Sequence, residues 1–156
     1  MMGVMEALTS ALVSKKGLNV DKYLVRYSGH SLLNHVFAHQ NGLSARPAML
    51  LRTLGRRSGV WREAVLPYFP RGEEVVIVGS RGGMPQDPQW AGNLRSHPEA
   101  EVFLDRHLHL MHARELTGQD YAGAWDEITR LVPTYLEYQA RCKDSRQIPL
   151  LALSYD

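Results

Sequence analysis

The chain has 156 residues, 44% hydrophobic and 22% charged, which suits one globular core of useful size. A formal charge of +2 makes no case for nucleic-acid binding, and the single cysteine, Cys142, excludes an internal disulfide and any multi-cysteine metal site. No run approaches the roughly 18 apolar residues of a spanning helix, and the apolar start, broken by Glu6 and followed by Lys15 and Lys16, does not read as a secretory leader, so a cytoplasmic protein is expected.

Residues 1–45 read as a helical N-terminal extension. Val4, Leu8, Ala11 and Leu12 recur at helical spacing, as do Leu24, Leu32, Leu33 and Val36 less regularly, with Gly17 and Gly29 interrupting and Gly42 closing the region. Residues 46–156 read as a second, strand-rich unit. Ala48–Thr53, Glu63–Phe69, Glu74–Gly79, Glu101–Asp105, Leu108–Glu115 and Leu150–Ser154 predict six strands, mostly joined by turns that favour antiparallel pairing. Asp87 before Pro88 predicts a capped helix start, and that helix must stop before Pro98. Thr117 to Asp120 resembles a capping box ahead of a helix lined by Tyr121, Trp125, Ile128 and Val132, with Pro133 bending it or opening another turn. The order is that of an α+β domain whose antiparallel strands curl into a small barrel, not of a doubly wound sheet.

Two glycine-and-arginine loops carry the functional signal. The first, Gly55-Arg56-Arg57-Ser58-Gly59 with Arg52 and Arg62 at its flanks, lacks both the nucleotide P-loop spacing and the dinucleotide fingerprint. Guanidinium forks and turn amides suit phosphate or carboxylate, though a solvated hairpin accounts for this loop alone equally well. The second, Gly79-Ser80-Arg81-Gly82-Gly83, leads into the helix begun at Pro88, where Trp90 and Asn93 share a face. Its alternative is a plain connection beside a core tryptophan. Together the loops predict a grip for a large anionic ligand.

These residues resemble the deazaflavin-dependent nitroreductases and quinone reductases of actinobacteria. The resemblance rests on Leu50-Leu51-x-Thr53-x-Gly55-Arg56-Arg57-Ser58-Gly59-x-x-Arg62, on Ser80-Arg81-Gly82-Gly83, on Pro88-x-Trp90-x-x-Asn93-Leu94-x-x-x-Pro98, and on Tyr135-x-x-Tyr138-Gln139 with Arg146-x-Ile148-Pro149. It runs from about Pro47 to the C-terminus and implies a split β-barrel of the FMN-binding kind. It further implies coenzyme F-420, an 8-hydroxy-5-deazaflavin, as hydride donor to a quinone-like or nitroaromatic acceptor. Carried over by position, Arg56, Arg57, Ser58 and Arg62 would hold the phosphate and acidic tail. Val65 would touch the ring, Val78, Gly79, Ser80 and Arg81 would line its edge, and Trp90 and Asn93 would close over it. Tyr135 and Tyr138 would border cofactor and substrate. With Ser80, they are the candidates to stabilise an oxyanion on the acceptor.

Departures from the family pattern lie at Arg81, where lysine is common, and at Val65, where proline is common. Pro67 and Val132 stand where the nitroimidazole-reducing member has tyrosines. An FMN-dependent reductase on the same fold, or a non-enzymatic binder of the deazaflavin or of a hydrophobic ligand, is the alternative. His107, His109 and His112 read as a polar strand face, His35 and His39 as a solvated helix face, and Cys142 as buried. No metal site is expected. The Met-rich start (Met1, Met2, Met5) with Lys15 and Lys16 is a candidate peripheral membrane contact, with packing on the barrel as its rival. Oligomeric state is not legible in the sequence.

Overall fold

The computed structural model describes residues 4–40, 42 and 44–156. Three helices, α1 (Val4–Val13), α2 (Lys15–Ser28) and α3 (Leu32–Gln40), precede the sheet. The break between α1 and α2 falls at Ser14, whose hydroxyl accepts from the Gly17 N–H at 3.2 Å. Gly17 therefore does not interrupt a helix. It lies inside α2, where an added Cβ would stand 2.2 Å from the Ala11 carbonyl oxygen, so its bareness lets α2 fold back against α1. Gly29, at φ 73°, ends α2 with its N–H on the Val25 carbonyl. The buried Asp21 carboxylate then accepts from Ser31 Oγ and from the Leu32 N–H, both at 2.6 Å, and fixes where α3 begins.

The strands are β1 (Ala48–Leu54), β2 (Trp61–Pro67), β3 (Phe69–Arg71), β4 (Glu74–Val78), β5 (Glu99–Leu104), β6 (His107–Glu115) and β7 (Leu150–Tyr155). They form one antiparallel sheet in the order β2-β1-β5-β6-β7-β4-β3. The six expected strands are seven because the run from Glu63 to Phe69 is divided at Tyr68. Its first part pairs with β1, ending at Ala48 opposite Pro67, while its second pairs with β4, Phe69 opposite Val76. One residue thus links the two edge strands, which obliges the sheet to curl until those edges meet. The split barrel is a consequence of that single corner.

Strand alternation sorts the core. Met49, Leu51, Ile77, Leu151 and Leu153 point into the barrel, where Trp90, Ala91 and Leu94 plug it from α4 (Gln89–Ser96). Ala48 and Leu50 face outward against Val25 of α2. Val76, Val78, Leu150 and Ala152 face outward against α5 (Gly118–Leu131) and α6 (Thr134–Cys142). Pro133 separates those two helices, and Cys142 is buried beneath the second.

Two expected caps are not formed. Pro88, not Asp87, is the N-cap of α4, and Thr117 caps α5 without a side-chain hydrogen bond. In both places the carboxylate is claimed by arginine. Asp87 pairs with Arg95 and Arg146, and Asp120 with Arg71 and Arg114. A charge-assisted bond to a guanidinium is stronger than one to a neutral amide, so the ion pair wins the side chain.

Candidate functional site

The first loop is the β1–β2 hairpin. Gly55 donates to the Val60 carbonyl oxygen at 2.9 Å, and Gly59, at φ 65°, donates back to the Gly55 carbonyl oxygen at 2.8 Å. Ser58 Oγ accepts from the Val60 N–H at 3.3 Å, and an added Cβ on Gly55 would meet that oxygen at 2.5 Å. The turn is therefore compact, and it presents Arg57 and Arg62 outward. Both are exposed, and neither forms an ion pair with another described residue.

Arg56 behaves differently. Its guanidinium donates to the Gln89 carbonyl oxygen, to Gln89 Oε1 and to Asn93 Oδ1 at 3.0–3.2 Å. It lies so flat on α4 that an added Cβ at Gly92 would be 2.8 Å from Nη1. Asn93 is 3% exposed, takes the Arg56 N–H at 3.1 Å and donates to Thr53 Oγ1 at 3.1 Å. It thus rivets the hairpin to α4. Gly55, Arg56, Arg57, Ser58, Arg62, Gln89 and Asn93 together bound a groove of about 440 Å³. Trp90, one turn before Asn93, lies in the barrel core, 8% exposed, and does not reach that groove.

The second loop is a short 3-10 turn, Arg81–Gly83. Arg81 holds φ 43°, Gly82 φ 62° and Gly83 φ 77°, so a non-glycine residue is kept in the left-handed region beside two glycines. Gly83 passes so close to α6 that an added Cβ would be 2.6 Å from the Tyr138 carbonyl oxygen. Arg146 supplies the restraint. Its side chain is 9% exposed and donates to the Gly79, Ser80 and Met84 carbonyl oxygens at 2.7–2.9 Å and to Asp87 at 2.9 Å. Gly79 is stapled to Pro149 by a 2.9 Å hydrogen bond, and Val78 packs into the outer core.

Above this loop lies a largely apolar cavity of about 710 Å³. Ser80, Arg81, Tyr135 and Tyr138 form one wall, Pro67 and Val132 another, and Val13, Leu33, Asn34 and Phe37 of α1 and α3 a roof. Pro67, Val13, Leu33, Asn34 and Phe37 also line a second cavity of about 570 Å³, whose floor is Glu63, Ala64 and Val65 on β2. Strand β2 therefore runs from Arg62 in the arginine groove to Pro67 in the large cavity, a span of about 17 Å at 3.3–3.4 Å per residue.

Tyr135 is 7% exposed, its ring edge-on to Phe69 at 6.2 Å and to Tyr138 at 6.3 Å. Burial pushes its phenol well above the ordinary value of 10, against a smaller opposing pull from Arg46. Tyr138 is raised chiefly by burial too, offset by Arg141, whose guanidinium sits 5.3 Å over its ring. Both hydroxyls remain protonated donors at neutral pH. His109 packs edge-on to Tyr155 at 5.1 Å, and among the described residues no group of three or more His, Cys, Asp and Glu is placed to hold a metal ion.

The structure thus gathers Arg56, Arg57, Ser58, Arg62 and Asn93 in one groove, and Ser80, Arg81, Tyr135 and Tyr138 in one cavity, with Val65 between them. It leaves Trp90 and Val78 in the core. Sequence reasoning missed the helical roof and Arg146 as the strut of the second loop. Arg146's partners lie 59–67 residues away, beyond any spacing rule.

The chain is similar to known proteins along most of its length. The family model described as F420H(2)-dependent quinone reductase matches residues 33–154, and so begins inside α3 and not at Pro47. The F420H(2)-dependent quinone reductase Rv1261c of Mycobacterium tuberculosis is 29% identical over 149 residues, covering 88% of this chain and 99% of its own length. A solved F420-H2 dependent reductase, FDR-A, superposes with a TM-score of 0.62 at 30% identity, covering 70% of this chain and 95% of that one. A second solved chain, described as a domain-swapped dimer, gives 0.63 at 25% identity over 89% of this chain and 98% of its own.

Proposed function

The chain belongs to the F420H(2)-dependent quinone reductase family, and on that premise we propose that it binds coenzyme F-420 along β2 and reduces a quinone in the cavity under α3. One observation carries the placement. A single strand joins an arginine groove to a large apolar cavity, the two ends that a phosphate-tailed planar ring requires. The residues fit the group. Arg57 and Arg62 are exposed cations without described ion-pair partners, as an anionic tail needs, and no carboxylate lines their groove to repel it. When bound, the reduced coenzyme supplies a hydride.

The chain's own residues position, shield and donate. Arg57, Ser58 and Arg62 hold the phosphate and the start of the tail, while Arg56 and Asn93 keep the hairpin in place beneath it. Val65 and the backbone of Gly79, Ser80 and Arg81 border the ring, in a loop already fixed by Arg146. Tyr135, Tyr138 and Ser80 face the cavity and donate hydrogen bonds to oxygen on the acceptor. Helices α1 and α3 serve as the lid of the acceptor pocket as well as an extension, since they form its roof.

A quinone is the preferred acceptor. Pro67 and Val132 leave the wall without phenols, which favours a broad, flat, apolar acceptor over one that needs polar contacts there, and nitroaromatic reduction is a secondary capacity. None of the described helices is long and apolar enough to cross a membrane. Exposed Leu8, Leu18 and Val20 beside Lys15 and Lys16 instead make α1–α2 a surface for peripheral contact with anionic lipid, which vesicle flotation tests. Met1 and Met2 lie outside the described residues.

An anaerobic titration followed by an acceptor screen tests the assignment. Fluorescence of the oxidised coenzyme changes at micromolar protein, and menadione outpaces nitroaromatic compounds as oxidant of the reduced form. Absence of coenzyme binding removes the reading.

A further inference from the structure

Arg46 stands outside both loops, two residues before β1 begins at Ala48, yet it lines the large cavity. Its Nε is buried and has no hydrogen-bond partner, and it forms no ion pair with a described residue. Its carbonyl oxygen accepts from Asn34 Nδ2 at 2.7 Å, which ties it to α3. Its guanidinium lies 4.9 Å over the Phe69 ring, which in turn meets Tyr135 edge-on. A fork held by an aromatic face keeps its plane and offers its edge. The other cation on the cavity wall, Arg81, is exposed, and no aspartate or glutamate lines the cavity. A guanidinium whose Nε is buried and unpaired, in an apolar cavity without a lining counter-ion, is a receptor for a negative oxygen.

We propose that Arg46 is the acceptor-side cation of this enzyme: its guanidinium binds the quinone oxygen on which negative charge develops and so selects acceptors that become, or already are, oxyanions. This rests on the assignment of the cavity to the acceptor. With the reduced coenzyme bound, its C–H bond would supply hydrogen with two electrons to the quinone, and the negative charge would settle on a carbonyl oxygen beside Arg46. The Tyr135 hydroxyl donates a hydrogen bond to the acceptor, and one proton from solvent completes the hydroquinone. Arg46 remains charged throughout and Tyr135 ends as it began.

The test uses the coenzyme-free protein and two quinones of similar shape: 2-hydroxy-1,4-naphthoquinone, an anion at neutral pH, and menadione, which is neutral. Binding is followed by quenching of tryptophan fluorescence. Wild type prefers the anion by about tenfold or more, the strength of one charge-assisted hydrogen bond in an apolar site. Arg46→Met removes the preference while holding menadione within about twofold, and Arg46→Lys restores part of it. No preference in wild type, an unchanged preference in Arg46→Met, or equal loss of both quinones overturns the proposal. Should Arg46→Met fail to fold, Arg81→Gln decides: the preference survives if Arg46 is its source and disappears if it is not. A parallel coenzyme titration separates the two assignments. Anion preference without coenzyme binding refutes the cofactor reading and leaves the oxyanion site, whereas coenzyme binding without anion preference refutes Arg46 alone.

Discussion

The two arginine-glycine loops look alike in sequence and are built in opposite ways. In the first, hydrogen bonds within the turn and the Asn93 rivet shape the backbone, and Arg57 and Arg62 are left free to meet a ligand. In the second, the backbone is strained, and a nearly buried arginine from another element, Arg146, occupies its carbonyl groups. One loop offers charge and the other offers a fixed wall. Losses in the second should therefore appear as stability, and losses in the first as affinity.

The largest effect is expected at Arg146. Arg146→Met removes the guanidinium shared by the Gly79, Ser80 and Met84 carbonyl oxygens and leaves Asp87 with Arg95 alone, and breaking such a nearly buried charged network costs about 3 kcal/mol. Chemical denaturation should show a lower midpoint with an unchanged slope. A stability equal to wild type would mean that the second loop holds its own shape.

Arg57→Ala should do the converse. Losing one charge-assisted contact to phosphate removes about 2 kcal/mol of binding, or roughly 30-fold in Kd, with no change in the denaturation midpoint. A coenzyme titration beside a denaturation curve checks both halves. Gly83→Ala should fall between the two classes. Its Cβ would strike the Tyr138 carbonyl oxygen at 2.6 Å in a backbone of φ 77°, which costs about 1–3 kcal/mol and displaces the wall from α6. Differential scanning calorimetry should show the loss, and menadione turnover should fall further than coenzyme affinity does.

Most of this frame was legible before the fold was seen. Helical spacing marked the N-terminal region as helix, and branched or aliphatic runs bounded by glycine, proline or charge marked five of the strands, because both are local properties. The seventh strand was hidden because Glu63–Phe69 is continuous in its residue pattern. Only the closing of the barrel, with Pro67 paired to β1 and Phe69 to β4, divides it at Tyr68. The site followed the same rule. Arg57, Arg62, Ser80 and Tyr135 announce themselves in short motifs, but Trp90 shares its helix face with Asn93 and only the packed barrel decides that this face turns inward. Asp87 and Asp120 misled for a related reason: each sits at a cap position, and each is taken by arginines distant in sequence. Arg46 is the first residue of the strand-rich unit but lies just before the family resemblance begins at Pro47, so no motif singled it out.

The smallest effect should come from acid, and it probes a region that neither loop touches. Arg114 donates to Glu74 at 2.7 Å and to Asp120 at 2.9 Å, and Arg71 donates to Asp120 at 2.5 Å, tying β3, β4 and β6 to the start of α5. Hydrogen bonding from Arg114 is the main cause that holds Glu74 below its ordinary 4.5, and Arg114 with Arg71 holds Asp120 below its ordinary 3.8. A depressed carboxylate stabilises the fold above its unfolded-state value and loses that stability as pH falls through its folded-state value. The melting temperature should therefore be flat at neutral pH and decline below about 4.5, only slightly, because the groups are solvent-screened. Arg114→Gln should flatten that decline in part, because Glu74 then loses the main cause of its lowered value while Arg71 still holds Asp120 down. Coenzyme affinity at neutral pH should not change, since the first loop shares no partner with this network. A variant that weakened coenzyme binding as much as it removed the acid response would show that the grip and the frame are coupled, and the contrast between the two loops would fail there.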